Sequence, residues 1–363
     1  MTAATAILLA SFGGPEAPDE VMPFLEQVTA GRGVPRERLE QVAEHYYALG
    51  GVSPINAQNR DLLAALRAEI ERRKLELPVY WGNRNSAPYF ADALRDIAAD
   101  GHEQVLALAT SAYSSYSGCR QYRENLAAAL DEAGLTQSLA VRKISPFFRA
   151  PGFVSPFTAH VAAAFKQIER EHGVAPSEVR VLFTTHSIPE AMALLSGPQP
   201  VEALPGLYEQ QHRDVARAVM AGADGGDVAS WALVFQSRSG PPSIPWLEPD
   251  IADAIRAAEQ EGVRALIVVP IGFVSDHMEV VWDLDHEALE VAQSLNLPMV
   301  RVSTPGVDPA FVSSLVDEIQ ASLAVGHESG SAPAGLCSLT CCPNLRAELA
   351  VVPGTSVAVT DEQ

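Results

Sequence analysis

Lysine is nearly absent from this 363-residue chain: Lys74, Lys143 and Lys166 are the only three among 25 basic residues. None follows a glycine, which excludes the lysine-bearing phosphate loop of nucleotide hydrolases. Cationic charge is short in general, with 25 Lys and Arg against 45 Asp and Glu and a formal charge of −20. A broad grip on nucleic acid or an anionic membrane needs clustered cations, so neither is an expected partner. Long hydrophobic runs are missing too. The longest, Ala265 to Val274, holds ten residues with Pro270 inside it, about half of the ~20 needed to span a bilayer. Residues 1–31 contain no Lys or Arg and the apolar run Ala6–Ala10 is brief, so no secretory leader is expected and the expected location is cytoplasmic. No G-x-G-x-x-G turn follows any apolar run; Gly31-Arg32-Gly33 reaches Arg36 where the third glycine belongs, which argues against a dinucleotide cofactor. Cysteine is scarce and unevenly placed, with Cys119 alone in the first half and Cys337, Cys341 and Cys342 crowded near the end. Disulfides are not expected in a cytosolic chain of this size, so the cluster reflects metal binding or chance.

What is present is ordinary globular material: 47% hydrophobic and 19% charged residues in a length that suits two domains. Apolar runs rich in Val, Ile, Leu and Phe alternate with stretches of helical period. The runs predict strands at Ala6–Ser11, Val79–Gly82, Val105–Ala109 and Ala140–Ser145, then at Val179–Thr184, Trp231–Gln236, Ala265–Val269 and Met299–Val302. Helical patterns fall at Asp61–Arg73, Asn125–Glu132, Val161–Glu171 and Ile251–Glu261. Continuous apolar strands between amphipathic helices predict parallel sheets covered on both faces. The expected fold is α/β, two similar doubly wound lobes of four strands each, residues 1–150 and 151–325, joined near Pro146–Pro156. Beyond Ala324 the composition turns to Gly, Ser, Ala and Pro, so 326–363 reads as an extension carrying the cysteines, packed on the second lobe.

Ligands of such sheets gather at the carboxyl ends of the strands. The run Val179–Thr184 is followed by Thr185-His186-Ser187-Ile188-Pro189, which puts an imidazole at a strand end; a capping or core histidine is the bland alternative. After Ala265–Val269 comes a dense acidic stretch, six Asp or Glu and no Lys or Arg between Ser275 and Glu290. Glu279, Asp283 and Glu287 are spaced four apart, where like charges repel by roughly 0.2–0.5 kcal/mol per pair, so the stripe favours a cation. A π-type widening would align the three better than an α-helix, and such bulges favour functional sites. Carboxylates with an imidazole suit a divalent first-row ion such as Fe(II); a solvated acidic face is the alternative. His277 and His286 read as surface residues, with a supporting place beside the metal site as the alternative. After Val105–Ala109, the segment Tyr113 to Arg123 offers hydroxyls, aromatic rings, Arg120 and Arg123, a set suited to a flat aromatic anion. Gly50-Gly51-Val52-Ser53-Pro54 forms a turn with Ser53 as donor.

Together these pieces resemble the ferrochelatase family. The motifs run in order as Ser11-Phe12-Gly13-Gly14-Pro15, Gly50 to Pro54, Thr185 to Pro189, Gln236-Ser237-Arg238-Ser239-Gly240, Pro245-Trp246-Leu247 and Phe273 to Glu279, within roughly residues 5–320, and look most like the actinobacterial branch. The resemblance implies a chelatase-like fold and a lyase of haem biosynthesis that inserts Fe(II) into coproporphyrin III with release of two protons. It implies a metal-site pair His186 and Glu279, an acidic metal or proton path through Asp283 and Glu287, and porphyrin contacts at Ser53 and Tyr122. Where some members carry a tyrosine facing the metal from the other side, this chain has Phe12, which removes the phenol. It further implies a [2Fe–2S] cluster on Cys119, Cys337, Cys341 and Cys342, with free thiols or zinc as alternatives, and transient contact with neighbouring haem-pathway enzymes. The C-x3-C-C spacing departs from better-known members. A monomer is expected, since no apolar patch stands out. Protoporphyrin IX as substrate, a cobalt or nickel chelatase of another tetrapyrrole, and a haem- or cluster-binding regulator remain alternatives at this point.

Overall fold

The computed structural model describes residues 5–240, 243–324 and 340–355. The chain divides into two compact units, one formed by 1–111, 116–146 and 315–363, the other by 112–115 and 147–314. In the first unit, β1 (Thr5–Ser11), β2 (Val79–Asn83), β3 (Gln104–Ala109) and β4 (Ala140–Lys143) make one parallel sheet in the order β2-β1-β3-β4. Ile7 pairs with Val79 on one side and Leu106 on the other. Successive residues of β1, Ala6 to Ala10, are all inaccessible, so both faces of the sheet are covered; this is why the strand reads as an unbroken apolar run. The core on one face combines Leu8, Ala10, Val105 and Ala107 with Leu94, Ile97 and Leu126 from flanking helices.

The second unit repeats the plan. β5 (Val179–His186), β6 (Ser230–Gln236), β7 (Ala265–Val269) and β8 (Met299–Arg301) form a parallel sheet in the order β6-β5-β7-β8. Leu182, Val268, Ile255 and Leu284 meet in its core. The repeat extends to a rare feature. A π-helix, Tyr116–Arg120, follows β3, and a second, Val281–Ala288, follows the corresponding strand β7. Only the second matches the expectation drawn from the acid spacing.

Two sequence readings are corrected and a third is narrowed. The joint expected at Pro146–Pro156 falls where one unit gives way to the other, between Pro146 and Phe147, and the chain is helical again from Pro151, within a helix Pro151–His172. Proline is tolerated at the first helical position because its missing N–H would be unsatisfied there, and the buried Phe153 and Phe157 anchor the turn that contains Pro156. The helix predicted at Asp61–Arg73 starts at Ile55, directly after the Ser53-Pro54 turn. The C-terminal segment, expected on the second lobe, lies on the first unit. Lys143 N–H donates to Pro353 O at 2.9 Å and Thr355 N–H to Lys143 O at 2.7 Å, so 353–355 satisfies backbone groups that the edge strand β4 would otherwise leave open. Arg123 and Val352 exchange two further bonds, main chain to main chain and guanidinium Nε to Val352 O at 2.7 Å. No helix among the described residues is long and apolar enough to cross a membrane.

Candidate active site

β5 delivers His186 as its last residue rather than one position beyond it. The chain then leaves the sheet in a fixed direction, because Ser187 N–H donates to Gln236 O at 2.8 Å and its hydroxyl to Leu247 O at 2.8 Å. His186 Nδ1 faces the Ser187 carbonyl, so Nδ1 carries the proton and the neutral ring presents its lone pair at Nε2. Nε2 stands 3.5 Å from Glu279 Oε2, with side chains 34% and 47% exposed. Burial works against the charged imidazole, but the hydrogen bond and charge of Glu279, helped by the Ser187 carbonyl and Asp283, outweigh it and raise the His186 pKa. Burial likewise works against ionised Glu279, yet the bond to His186 and the charges of His186 and His277 hold it down at about 2. The result is an ionised carboxylate beside a base whose proton affinity is enhanced.

Glu279 is the middle residue of a short helical turn, Met278–Val280, that runs into the π-helix Val281–Ala288. A spacing of four is close to one turn of a π-helix, so Asp283 and Glu287 continue the side that Glu279 begins. Asp283 is gripped from β6: the Ser237 hydroxyl donates to Oδ2 and Gln236 Nε2 donates to the same oxygen at 3.2 Å. Ser237 does so from a left-handed backbone, φ 61°, a conformation that is uncommon outside glycine and concentrates at functional sites. Burial raises Asp283 to about 7, against the Ser237 bond and with help from Glu279 and Glu287. Glu287 is exposed and accepts from Trp282 Nε1 at 2.9 Å. The acidic stretch lacks its own cation, but Arg301 at the end of β8 reaches Asp276 at 2.8 Å and Asp285 at 3.4 Å. Glu279, Asp283 and Glu287 have no arginine or lysine partner among the described residues. Among the described residues no group of three or more His, Cys, Asp or Glu is arranged to hold a metal ion.

The Asp283 pKa yields a pH signature. Native Asp283 binds its proton up to about pH 7, whereas in the unfolded chain it releases it near 3.8. Between those values the native state holds more protons, so this group's contribution to stability falls as pH rises and levels off above 7. Asp283→Asn keeps both acceptor bonds and removes the charge. It is expected to raise the melting temperature most above pH 7, less at pH 5, and not at all below pH 4; a pH-independent shift would contradict the assignment. The two neighbouring histidines are not surface residues as their sequence context predicts. His277 is half-buried with its ring edge-on to Phe273 at 5.1 Å, and His286 is half-buried and stacked on Trp282 at 5.2 Å. Burial, with His186 nearby, lowers the His277 pKa against the pull of Glu279 and Asp276.

The other candidates belong to the first unit, where the structure gathers some and separates others. Phe12, directly after β1, lies edge-to-face with Phe24 at 6.1 Å. Tyr122 is 3% exposed within the sheet core. Between them sits Arg84, its guanidinium 5.3 Å from the Phe12 ring and 4.8 Å from the Tyr122 ring. Arg84 makes no ion pair among the described residues, and its Nε is buried without a partner; burial lowers its pKa despite the help of Tyr122. Sequence reading passed over Arg84, although it follows β2 and the strand-end rule points to it. Ser53 is 3% exposed, held by its N–H to Pro15 O at 2.9 Å, and packs so close to Gly14 that a side chain there would meet it. Arg120 and Arg123 are turned inward. Arg120 Nε pairs with Glu124 at 2.9 Å, the two side chains 9% and 2% exposed, while Arg123 is 1% exposed with its Nε on Val352 O.

Cys119 lies in the first π-helix, and Cys119, Cys341 and Cys342 are all buried. Cys341 and Cys342 bring their sulfurs within 3.7 Å, with Cys342 at φ 52°. Asn344 fastens this segment to the helix that follows Cys119 by donating to Glu124 Oε2 at 3.1 Å. Cys337 falls outside the described residues. The three described cysteines do not by themselves form a metal-ligand group.

Residues 4–323 match the family pattern described as ferrochelatase. The chain is 51% identical over 356 residues to a coproporphyrin III ferrochelatase of Leifsonia xyli subsp. xyli, covering 94% of this chain and 91% of the relative. It is 49% identical over 356 residues to one of Streptomyces griseus subsp. griseus, covering 93% of each. A ferrochelatase of Rhodopirellula baltica is 48% identical over 319 residues, covering 88% of this chain and 86% of that one. With a family match over most of its length and near-full-length relatives at about half identity, this chain belongs to the ferrochelatase family.

Proposed function

We propose that the chain inserts Fe(II) into coproporphyrin III to give the iron coproporphyrin, releasing two pyrrole protons, in haem biosynthesis in the cytoplasm. The observation that carries the reading is the His186–Glu279 pair, 3.5 Å apart at the end of a central strand, in a chain about half identical to coproporphyrin III ferrochelatases. A flat macrocycle hides its nitrogen lone pairs from an incoming ion. Bending it, at about 1–5 kcal/mol of strain drawn from peripheral contacts, exposes them. His186 Nε2, with raised proton affinity, accepts a pyrrole proton, and ionised Glu279 stabilises the imidazolium that results. Asp283, titrating near neutrality, passes protons or ions on toward exposed Glu287.

The porphyrin contacts proposed are Phe12, Ser53 and Tyr122, with Arg84 as the cation for a substrate carboxylate. Arg84 takes the part that the sequence reading gave to Arg120 and Arg123, both already engaged within their own unit. Phe12 offers a ring and no axial oxygen, so the proposed chemistry takes its proton acceptor from His186 alone. We also propose a [2Fe–2S] cluster on Cys119, Cys341, Cys342 and Cys337. The docking of the Cys341–Cys342 segment beside the helix after Cys119 supports it, and four thiolates are the usual complement. Such a cluster would be structural or sensory, since insertion transfers no electrons.

Anaerobic turnover tests the reading. Fe(II) with coproporphyrin III is expected to give the highest kcat/KM, above protoporphyrin IX with Fe(II) and above Co(II) with either porphyrin. Preference for protoporphyrin, or for Co(II), would move the assignment to a different chelatase, and tetrapyrrole binding without turnover would make the chain a regulator.

A further inference from the structure

Behind His186, within the second unit, lies a buried aromatic stack that the chemistry above does not use. Tyr208, from the helix Leu207–Gly222, donates its hydroxyl to the His186 carbonyl at 3.0 Å. Its oxygen accepts from Thr185 Oγ1 at 2.7 Å, the hydroxyl proton being already committed. One helical turn on, His212 Nδ1 is 2.7 Å from the Tyr208 carbonyl. A carbonyl only accepts, so the His212 proton sits on Nδ1 and Nε2 is left bare; Nε2 is buried with no partner among the described residues. The His212 ring lies flat on Tyr113, centroids 3.5 Å apart and planes 15° apart. Tyr113 in turn donates to Ile271 O at 2.9 Å. Ile271 and Gly272 begin the chain from β7 toward Glu279, and Gly272 presses on Thr185 so closely that a Cβ would lie 2.1 Å from its Oγ1.

The path Tyr113–His212–Tyr208 therefore joins two backbones, the one that ends in His186 and the one that leads to Glu279. Resting on the assignment of His186 and Glu279 as the catalytic pair, we propose that Tyr208 and His212, braced by Tyr113, are positioning residues that fix the His186–Glu279 separation. The pair needs such a brace. At 3.5 Å it is longer than a full-strength charge-assisted bond, so it does not define its own geometry, and errors near 1 Å in a reacting group cost about a hundredfold in rate. Burial also keeps His212 uncharged, driving its pKa down to about 3. The brace thus holds the same shape throughout the neutral range.

Tyr208→Phe deletes one hydroxyl from an otherwise intact stack. It is expected to lower kcat roughly tenfold, to raise the KM for Fe(II), and to leave the KM for porphyrin within about twofold. A role in folding alone would instead lower the melting temperature and the active fraction without dividing kcat from KM. In a His186→Ala background the same change is expected to have no further effect, because the group being positioned is gone. Full kcat in Tyr208→Phe, with His186→Ala inactive, overturns the positioning proposal and leaves the catalytic pair standing. An active His186→Ala overturns the pair itself. Should Tyr208→Phe fail to fold, His212→Asn, which retains a donor toward the Tyr208 carbonyl but not the stack, is expected to give the same kcat loss, and unchanged kcat there also overturns the proposal.

Discussion

His186→Ala is expected to lose iron insertion by roughly 10²–10⁴-fold, the range for removing a general base, while porphyrin affinity stays within about twofold. The asymmetry follows from where the groups reside. The proposed porphyrin contacts Phe12, Ser53, Tyr122 and Arg84 are held by bonds and ring contacts of the first unit, and none depends on the imidazole. Glu279, by contrast, is held at about 2 largely by His186. Without the imidazole, burial raises its pKa, so the variant loses both the proton acceptor and part of the negative charge beside it. His186→Gln distinguishes these contributions: the amide restores a hydrogen-bond donor toward Glu279 but accepts no proton at neutral pH, and it too should be inactive. Porphyrin binding is read by fluorescence quenching and insertion by the loss of free-porphyrin absorption. A His186→Ala variant with insertion within tenfold of the parent would exclude the imidazole as the proton acceptor.

The strands were legible because a doubly covered parallel strand has no polar face to blur it, and each of the eight lies within a few residues of its expected place. The π-helix at Val281–Ala288 was legible for a different reason: three acids spaced four apart line up more closely on a widened turn than on an α-helix. The π-helix at Tyr116–Arg120 carries no such charge pattern, and nothing in Tyr-Ser-Gly-Cys-Arg announced it. Side-chain direction was the weakest reading. Arg120 and Arg123 stand at a strand end as a ligand-binding cation would. One is claimed by Glu124 four residues on, a spacing visible in the sequence; the other by a carbonyl of Val352, 229 residues away, which no local pattern contains. Arg84 is the converse case, an arginine in a polar loop whose pairing with Phe12 and Tyr122 exists only once three strand ends converge.

Glu124→Ala is expected to be among the most destabilising single changes in the first unit, because one carboxylate serves three residues from two parts of the chain. Its Oε1 pairs with Arg120 Nε at 2.9 Å; its Oε2 accepts from the Tyr116 hydroxyl at 3.0 Å and from Asn344 Nδ2 at 3.1 Å. Glu124 is 2% exposed as a side chain and Arg120 9%. Removing the anion leaves a guanidinium in low dielectric with its charge uncompensated by that partner, a change that costs about 3–5 kcal/mol. Glu124→Gln keeps an acceptor for Tyr116 and Asn344 and gives up the charge and the acceptor that faces Arg120, so its loss should be smaller. Urea midpoints, at constant m, measure both. The same carboxylate is the described side-chain anchor of the Cys341–Cys342 segment to the helix after Cys119, so Glu124→Ala should also expose that segment to limited proteolysis after Arg346 and lower the iron and acid-labile sulfide recovered per chain. A parent protein purified anaerobically without iron, sulfide or visible absorption would reject the cluster outright. Retention of full cluster content in a Glu124→Ala variant that is cleaved at Arg346 would separate the cysteines from the anchor. Stability unchanged in Glu124→Ala would show that the buried pair contributes nothing beyond what water could replace.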